Sequence, residues 1–176
     1  MAEPLRVLVT GGVRSGKSTH AEELLAGAPT VTYVAPGPTF DDADWAARIA
    51  QHRARRPEHW ETVETADLAA ALATPSAVLV DCLGTWLTAL VDGAGLWEAP
   101  TGEVEALVVD RVDAAVEALR ARTEVTVLVT NEVGMGVHPD HRSGRLFRDL
   151  LGTVNQRIGS AADEVHLVVA GRVLRL

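Results

Sequence analysis

The chain has 176 residues, 47% hydrophobic and 23% charged, which is apolar enough for one domain with a packed core and excludes a disordered polymer. A formal charge of −8 argues against a general nucleic-acid binder, since no broad cationic surface would displace phosphate counterions. The single cysteine, Cys82, excludes an internal disulfide and a cysteine-based metal site, and fits a reducing, cytoplasmic setting.

No signal peptide is expected before Leu5, and no apolar run approaches the roughly 20 residues needed to span a bilayer. Taken in chain order, Leu5–Thr10 is an apolar, β-branched run that predicts a buried strand. A glycine-rich turn follows, and then a helix over Lys17–Leu25. Thr30–Ala35 is the second expected strand, closed by Pro36-Gly37-Pro38. Asp42–Arg56 reads as a helix with acids at its start and a basic turn before Pro57, the order that a helix macrodipole favours. The Ala-rich segment Ala66–Ala73 is a short helix, and Ala77–Cys82 the third strand. Asp92–Gly102 reads as a surface loop. Glu103–Arg122 repeats Val104, Leu107, Val108, Val112, Val116 and Leu119 at helical spacing. Val125–Thr130 is the fourth strand, Gly144–Ala162 the last long helix, and Glu164–Val169 the fifth strand. After the Ala170-Gly171 turn signal, Arg172–Leu176 is expected to fold back as an antiparallel partner. The alternation predicts an α/β fold, a mostly parallel sheet flanked by helices, in a single nucleotide-binding domain spanning 1–176.

The turn after the first strand carries the clearest chemistry. Gly11-Gly12-Val13-Arg14-Ser15-Gly16-Lys17-Ser18 has the G-x4-G-K-S spacing of a phosphate-binding loop, with a strand before it and a helix after it. Gly11 and Gly16 let successive N–H groups turn inward around phosphate oxygens, and the helix beginning near Lys17 aims its positive end at the same anion. Lys17 would reach the β- and γ-phosphates, and the Ser18 hydroxyl would ligate Mg²⁺. Val78-Leu79-Val80-Asp81 is an apolar strand ending in a carboxylate, so Asp81 is the expected second metal-side residue, with Glu132 as runner-up. In parallel sheets ligands bind outside the carboxyl ends of strands, which puts Pro36–Pro38 and Asn131–His141 beside the loop.

On the Asp42–Arg56 helix, Trp45, Ile49 and His52 share one face, with Arg48, Arg55 and Arg56 near it. Two readings of His52 stay open from the residues alone. It is a packed helix histidine among solvated arginines, or a nucleophile or acid/base working on phosphate, with the arginines holding charge. His20, His59, His138, His141 and His166 show no metal-ligand spacing.

Several segments together carry a resemblance. They are Thr10–Ser18, Ala47-Arg48-Ile49-Ala50-Gln51-His52-Arg53, Arg56-Pro57-Glu58-His59-Trp60, Val129-Thr130-Asn131-Glu132-Val133-Gly134-Met135-Gly136, Phe147-Arg148-Asp149-Leu150 and Val154-Asn155-Gln156-Arg157. In order and over nearly the whole chain, they resemble the bifunctional adenosylcobinamide kinase / adenosylcobinamide-phosphate guanylyltransferases of cobalamin biosynthesis. The resemblance implies a RecA-like P-loop fold and two reactions: ATP or GTP phosphorylates adenosylcobinamide, then GTP gives GMP to a histidine and on to adenosylcobinamide phosphate. It also implies assembly as a homo-oligomer, trimers among them. Under it His52 becomes the nucleophile, with Lys17 as its catalytic companion. Nucleotide contacts map to Gly11, Gly12, Val13, Arg14, Ser15, Gly16, Lys17, Ser18, Pro36, Gly37, Pro38, Arg53, Ala54, Arg55, Arg56, Glu64 and Asp81, and metal contacts to Ser18 and Asp81. The rival expectations are a simple small-molecule P-loop kinase and a nucleotide-dependent switch or binding module.

Overall fold

A computed structural model describes residues 5–37 and 56–176. Its sheet has seven strands: β1 (Arg6–Gly11), β2 (Val31–Ala35), β3 (Trp60–Glu64), β4 (Ala77–Asp81), β5 (Thr126–Val129), β6 (Glu164–Val169) and β7 (Arg172–Arg175). The helices described are α1 (Lys17–Leu24), α2 (Leu68–Leu72), α3 (Leu83–Ala94), α4 (Thr101–Arg120) and α5 (Arg142–Ala161). The strand order is β3-β2-β4-β5-β1-β6-β7, parallel throughout except for the β6–β7 hairpin. This is the expected α/β architecture with its C-terminal antiparallel strand.

Strand alternation divides the core into two layers. Val7, Val9, Leu79, Val127 and Val129 face one side, where Ala21 of α1, Leu25 and Tyr33 complete a cluster. Leu8, Val34, Val78, Val80 and Leu128 face the other, under α2, α3, α4 and α5. Both faces are covered, and this explains why the central strands read as unbroken apolar runs. Helix α4 buries Val104, Val108, Val112, Ala115, Val116 and Leu119, a stripe at three- and four-residue steps. Each buried Val or Leu there stabilises the fold by about 1.5–3 kcal/mol.

The structure departs from the sequence expectations in three places. Strand β3 was not expected: it is an edge strand whose Glu61, Thr62 and Glu64 are exposed, and only Trp60 of its five residues is buried. Helix α3 was not expected either. Leu83, Gly84, Trp86, Leu87 and Val91 are all buried, which blurs the polar face that periodicity relies on. It ends where Gly95 takes a left-handed φ of 67°. The supposed loop Asp92–Gly102 therefore shrinks to the stretch between Ala94 and Thr101. Trp86 anchors α3, its indole Nε1 donating to the Ala66 carbonyl at 2.8 Å. The expected helix Asp42–Arg56 lies outside the described residues, except for Arg56.

Far from the carboxyl ends of the strands, Arg122 ties the sheet's lower edge together. Its side chain is buried and donates to the Leu72 carbonyl at 2.8 Å, to Thr126 Oγ1 at 2.7 Å, and to the Thr74 and Ser76 carbonyls. The guanidinium closes the end of α2 and the start of β4 in one step.

Candidate active site

The loop between β1 and α1 has a shape that only its own residues permit. A Cβ on Gly11 would run into the Val168 carbonyl oxygen and stand 2.7 Å from Ser15 Oγ. Gly16 caps α1 at φ 98°, a left-handed conformation that glycine adopts without strain. Arg14 takes φ 56° between them, an uncommon state for a residue with a Cβ. The Ser15 N–H donates to the Gly12 carbonyl at 3.3 Å, closing the turn. From the next strand pair, Gly171 N–H donates to the Ser15 carbonyl at 2.8 Å, so the β6–β7 hairpin props the loop from outside. That hairpin turns on two residues, Ala170 and Gly171, both at positive φ as the primed hairpin turns require.

Lys17 is buried, and its Nζ lies 3.2 Å from the Gly12 carbonyl, which places the ammonium inside the loop. Gly12, Val13 and Arg14 are exposed at the tip, and Ser18 is half-buried in the first turn of α1. This is the arrangement that a phosphate chain needs: a cation and a row of amides at a helix N-terminus.

Asp81 closes β4, and β5 lies between β4 and β1. At about 4.8 Å per strand step, the aspartate strand runs roughly 10 Å from the loop strand, a span that a triphosphate can bridge. Tyr33, the only tyrosine of the chain, is buried on β2, the strand paired with β4, and is close enough to Asp81 to feel its charge. Burial first, and then the neighbouring carboxylate, raise the phenol's pKa far above its ordinary value, so the hydroxyl is held as a donor. Arg56 lies over the same ring, its guanidinium carbon 3.3 Å from the centroid, and donates to Thr62 Oγ1 at 3.0 Å. Arg56 thus stacks on Tyr33, with Asp81 close by on the paired strand.

Three buried polar atoms around the loop have no hydrogen-bond partner among the described residues: Thr10 Oγ1, Ser15 Oγ and Asp81 Oδ2. Leaving such an atom unpaired costs about 1–3 kcal/mol, and a cluster of them marks where polar ligands belong. Asp81, with Ser18 across the rim, fits the hard-oxygen donor set that Mg²⁺ takes.

Because β1 to β6 are parallel, Gly11, the Pro36–Gly37 turn, Glu64, Asp81 and the segment after β5 all lie along one edge of the sheet. Pro36 is buried and Gly37 packs so closely on Thr85 of α3 that a Cβ would meet the Thr85 Cβ at 2.8 Å. Glu64 is exposed at the far end of that edge. Pro38, His52, Arg53, Ala54 and Arg55 lie outside the described residues. The segment after β5 meets the loop directly, since the Glu132 N–H donates to the Gly11 carbonyl at 3.2 Å.

Two features escaped the sequence reading. Tyr33 is the one aromatic residue in an apolar strand, and nothing local points from it to Asp81, some fifty positions on. The histidines His20 and His166 are partners: His20 Nε2 lies 2.9 Å from His166 Nδ1, and His166 Nε2 lies 2.7 Å from Glu164 Oε2. This row fastens α1 to β6, beside the site but not in it. Among the described residues no group of His, Cys, Asp and Glu could hold a metal by itself, and no helix is long and apolar enough to cross a membrane.

Residues 7–176 match the family model described as cobinamide kinase / cobinamide phosphate guanyltransferase. The bifunctional adenosylcobalamin biosynthesis protein CobU of Salmonella typhimurium is 43% identical over 180 residues, covering 95% of this chain and 97% of that protein. The protein of the same name from Escherichia coli is 43% identical over 176 residues, with 95% and 97% covered. The bifunctional adenosylcobalamin biosynthesis protein CobP of Pseudomonas aeruginosa is 39% identical, with 95% and 94% covered. Among solved structures, the P4 protein of bacteriophage phi6 in complex with ADP aligns at a TM-score of 0.47 and 16% identity, over 96% of this chain and 53% of that one. With its phosphate loop intact and residues 7–176 matched, the chain belongs to the cobinamide kinase / cobinamide phosphate guanyltransferase family of bifunctional transferases.

Proposed function

We propose that the chain phosphorylates adenosylcobinamide with ATP or GTP and then transfers GMP from GTP through His52 to adenosylcobinamide phosphate, yielding adenosylcobinamide-GDP and pyrophosphate. The observation that supports the His52 assignment is the seat of Arg56 on the Tyr33 ring, near Asp81. His52 precedes Arg56 by four residues, so chain geometry limits it to about 14 Å from Arg56. Arg56 itself is fastened to the edge that holds Lys17 and Asp81.

In the first half, the loop amides and Lys17 hold the γ-phosphate while the acceptor hydroxyl attacks it. In the second, a His52 ring nitrogen attacks the α-phosphorus and the bond to pyrophosphate breaks. Lys17 and the arginines Arg53, Arg55 and Arg56 offset the charge that develops. An oxygen of the phosphate acceptor then attacks the guanylyl phosphorus, the phosphorus–nitrogen bond breaks, and the protonated histidine leaves as a neutral imidazole. Gly11–Ser18, the Pro36–Pro38 turn, Arg53–Arg56, Glu64 and Asp81 make up the nucleotide site. Ser18 and Asp81 would hold Mg²⁺, which when bound neutralises phosphate charge. A cytoplasmic homo-oligomer, such as a trimer, completes the proposal.

The test uses the full chain, Mg²⁺ and GTP labelled on the α- or the γ-phosphate, followed by denaturation and a search for acid-labile label. Retained α-label that is absent in His52→Ala is the expected result. A wild-type protein that never retains α-label refutes the guanylyl-histidine. If it still phosphorylates adenosylcobinamide, a simple kinase remains.

A further inference from the structure

The kinase half needs a group that takes the proton from the acceptor hydroxyl, and of the carboxylates along the edge Asp81 and Glu132 lie at the ends of the strands nearest the loop strand. Asp81 is one strand removed from the loop and sits beside the buried Tyr33 phenol, while its unpartnered Oδ2 fits a metal. Glu132 is the other. It follows β5, the strand wedged between Asp81 and the loop, and its own N–H bonds to Gly11, the first loop residue, at 3.2 Å.

The backbone around Glu132 is held from several directions. Thr130 Oγ1 donates to Asn155 Oδ1 at 2.6 Å, and Asn155 Nδ2 donates to the Asn131 carbonyl at 3.0 Å. Arg148 donates to the Gly134 carbonyl at 3.1 Å. The Gly134 N–H donates to Glu132 Oε1 at 3.3 Å, fixing one carboxylate oxygen. A solvated surface glutamate needs no such frame. Beyond it Met135 and Val137 are 82% and 95% exposed, yet the loop that carries them is tied back by Arg145 to the Pro139 and Asp140 carbonyls at 3.2 and 2.7 Å. Apolar side chains held outward beside a phosphate loop suit a large organic acceptor better than water.

Resting on the proposed kinase activity, we infer that Glu132 is the general base of the phosphoryl transfer and that the Gly134–Val137 segment is the side from which the acceptor alcohol approaches. The Glu132 carboxylate accepts the hydroxyl proton as the oxygen–γ-phosphorus bond forms, the bond from the γ-phosphorus to the bridging oxygen breaks, and nucleoside diphosphate leaves. One proton moves to the carboxylate and no electrons change hands.

The experiment compares wild type, Glu132→Gln and Glu132→Asp in the full chain. It reads adenosylcobinamide phosphorylation with ATP across pH, α-label retained from GTP, and the thermal midpoint. Glu132→Gln is expected to lower kinase kcat on the order of 100-fold or more, the usual worth of a general base, and to lose the acid limb of the rate profile. Glu132→Asp recovers part of the rate, and both variants keep the α-label and the wild-type midpoint. A Glu132→Gln kinase within threefold of wild type overturns the assignment. So does a parallel loss of α-label and midpoint, which would make the residue structural. A wild-type protein that labels itself but leaves adenosylcobinamide unphosphorylated overturns both this inference and the kinase half of the function.

Discussion

Replacing Arg122 by Met should destabilise the protein by about 3–5 kcal/mol without touching nucleotide binding. The magnitude follows from its four acceptors: the carbonyls of Leu72, Thr74 and Ser76 and the hydroxyl of Thr126. A hydrogen bond from a charged donor contributes about 1.5–3 kcal/mol, so four would give roughly 6–12 kcal/mol if all were lost outright. Several offsets reduce that figure. Removing the guanidinium also removes the cost of keeping a cation at 6% exposure, and Met restores much of the side-chain volume. Water can reach some of the freed carbonyls at this edge. Loss of a buried, hydrogen-bonded charge typically costs about 3–5 kcal/mol, and that range applies here. For a chain of this size each kcal/mol lowers the midpoint by about 2–4 °C, so a fall of roughly 6–20 °C is expected. Urea titration of wild type, Arg122→Met and Arg122→Lys would measure it, with nucleotide affinity followed in parallel. Lysine keeps the charge but reaches fewer acceptors and should fall between the two. A Met variant within 1 kcal/mol of wild type would refute the reasoning, as would a change in nucleotide affinity, because Arg122 lies at the opposite edge of the sheet from the loop.

Two further outcomes follow from the loop and the histidine row. Gly11→Ala forces either the Val168 carbonyl or Ser15 to move, so nucleotide affinity should drop at least tenfold while the urea midpoint shifts far less; calorimetric titration with a non-hydrolysable triphosphate decides it. Acid should weaken the fold in two stages. His20 has its pKa lowered, by burial first and then by His166, with Arg175 adding to this and Glu23 opposing it. Its contribution is therefore whole above about 6.5 and is lost as pH falls below that. Asp163 is lowered chiefly by its hydrogen bonds from Arg6, so its share is lost only below 3.8. Thermal midpoints from pH 8 to 5 should decline, and His20→Gln should flatten that decline; an equal slope in the variant would count against the histidine pair.

What the residues disclosed depended on how local the signal was. The phosphate loop was legible because Gly11, Gly16, Lys17 and Ser18 stand at a fixed local spacing and each answers one steric or electrostatic demand. The central strands were legible because burial on both faces leaves little but β-branched residues. Helix α3 was hidden by the same burial, which removes the polar face a helix usually shows, and β3 by its edge position. Tyr33, Asp81 and Arg56 meet only through pairing of β2 with β4 and β3, and no spacing in the chain encodes that contact. Glu132 stood out as a carboxylate at a strand end, but its link to Gly11 depends on β5 entering between β4 and β1.

The bond from Gly171 to the Ser15 carbonyl means that the phosphate loop is no portable cassette. Transplanted into another sheet, Gly11–Ser18 would carry its residues but lose the brace, which comes from a two-residue turn some 155 positions away. That turn has no room to grow, since any insertion at Ala170–Gly171 would withdraw the donor. The end of the chain and its phosphate grip are therefore expected to vary together, and a redesign of either one has to move the other.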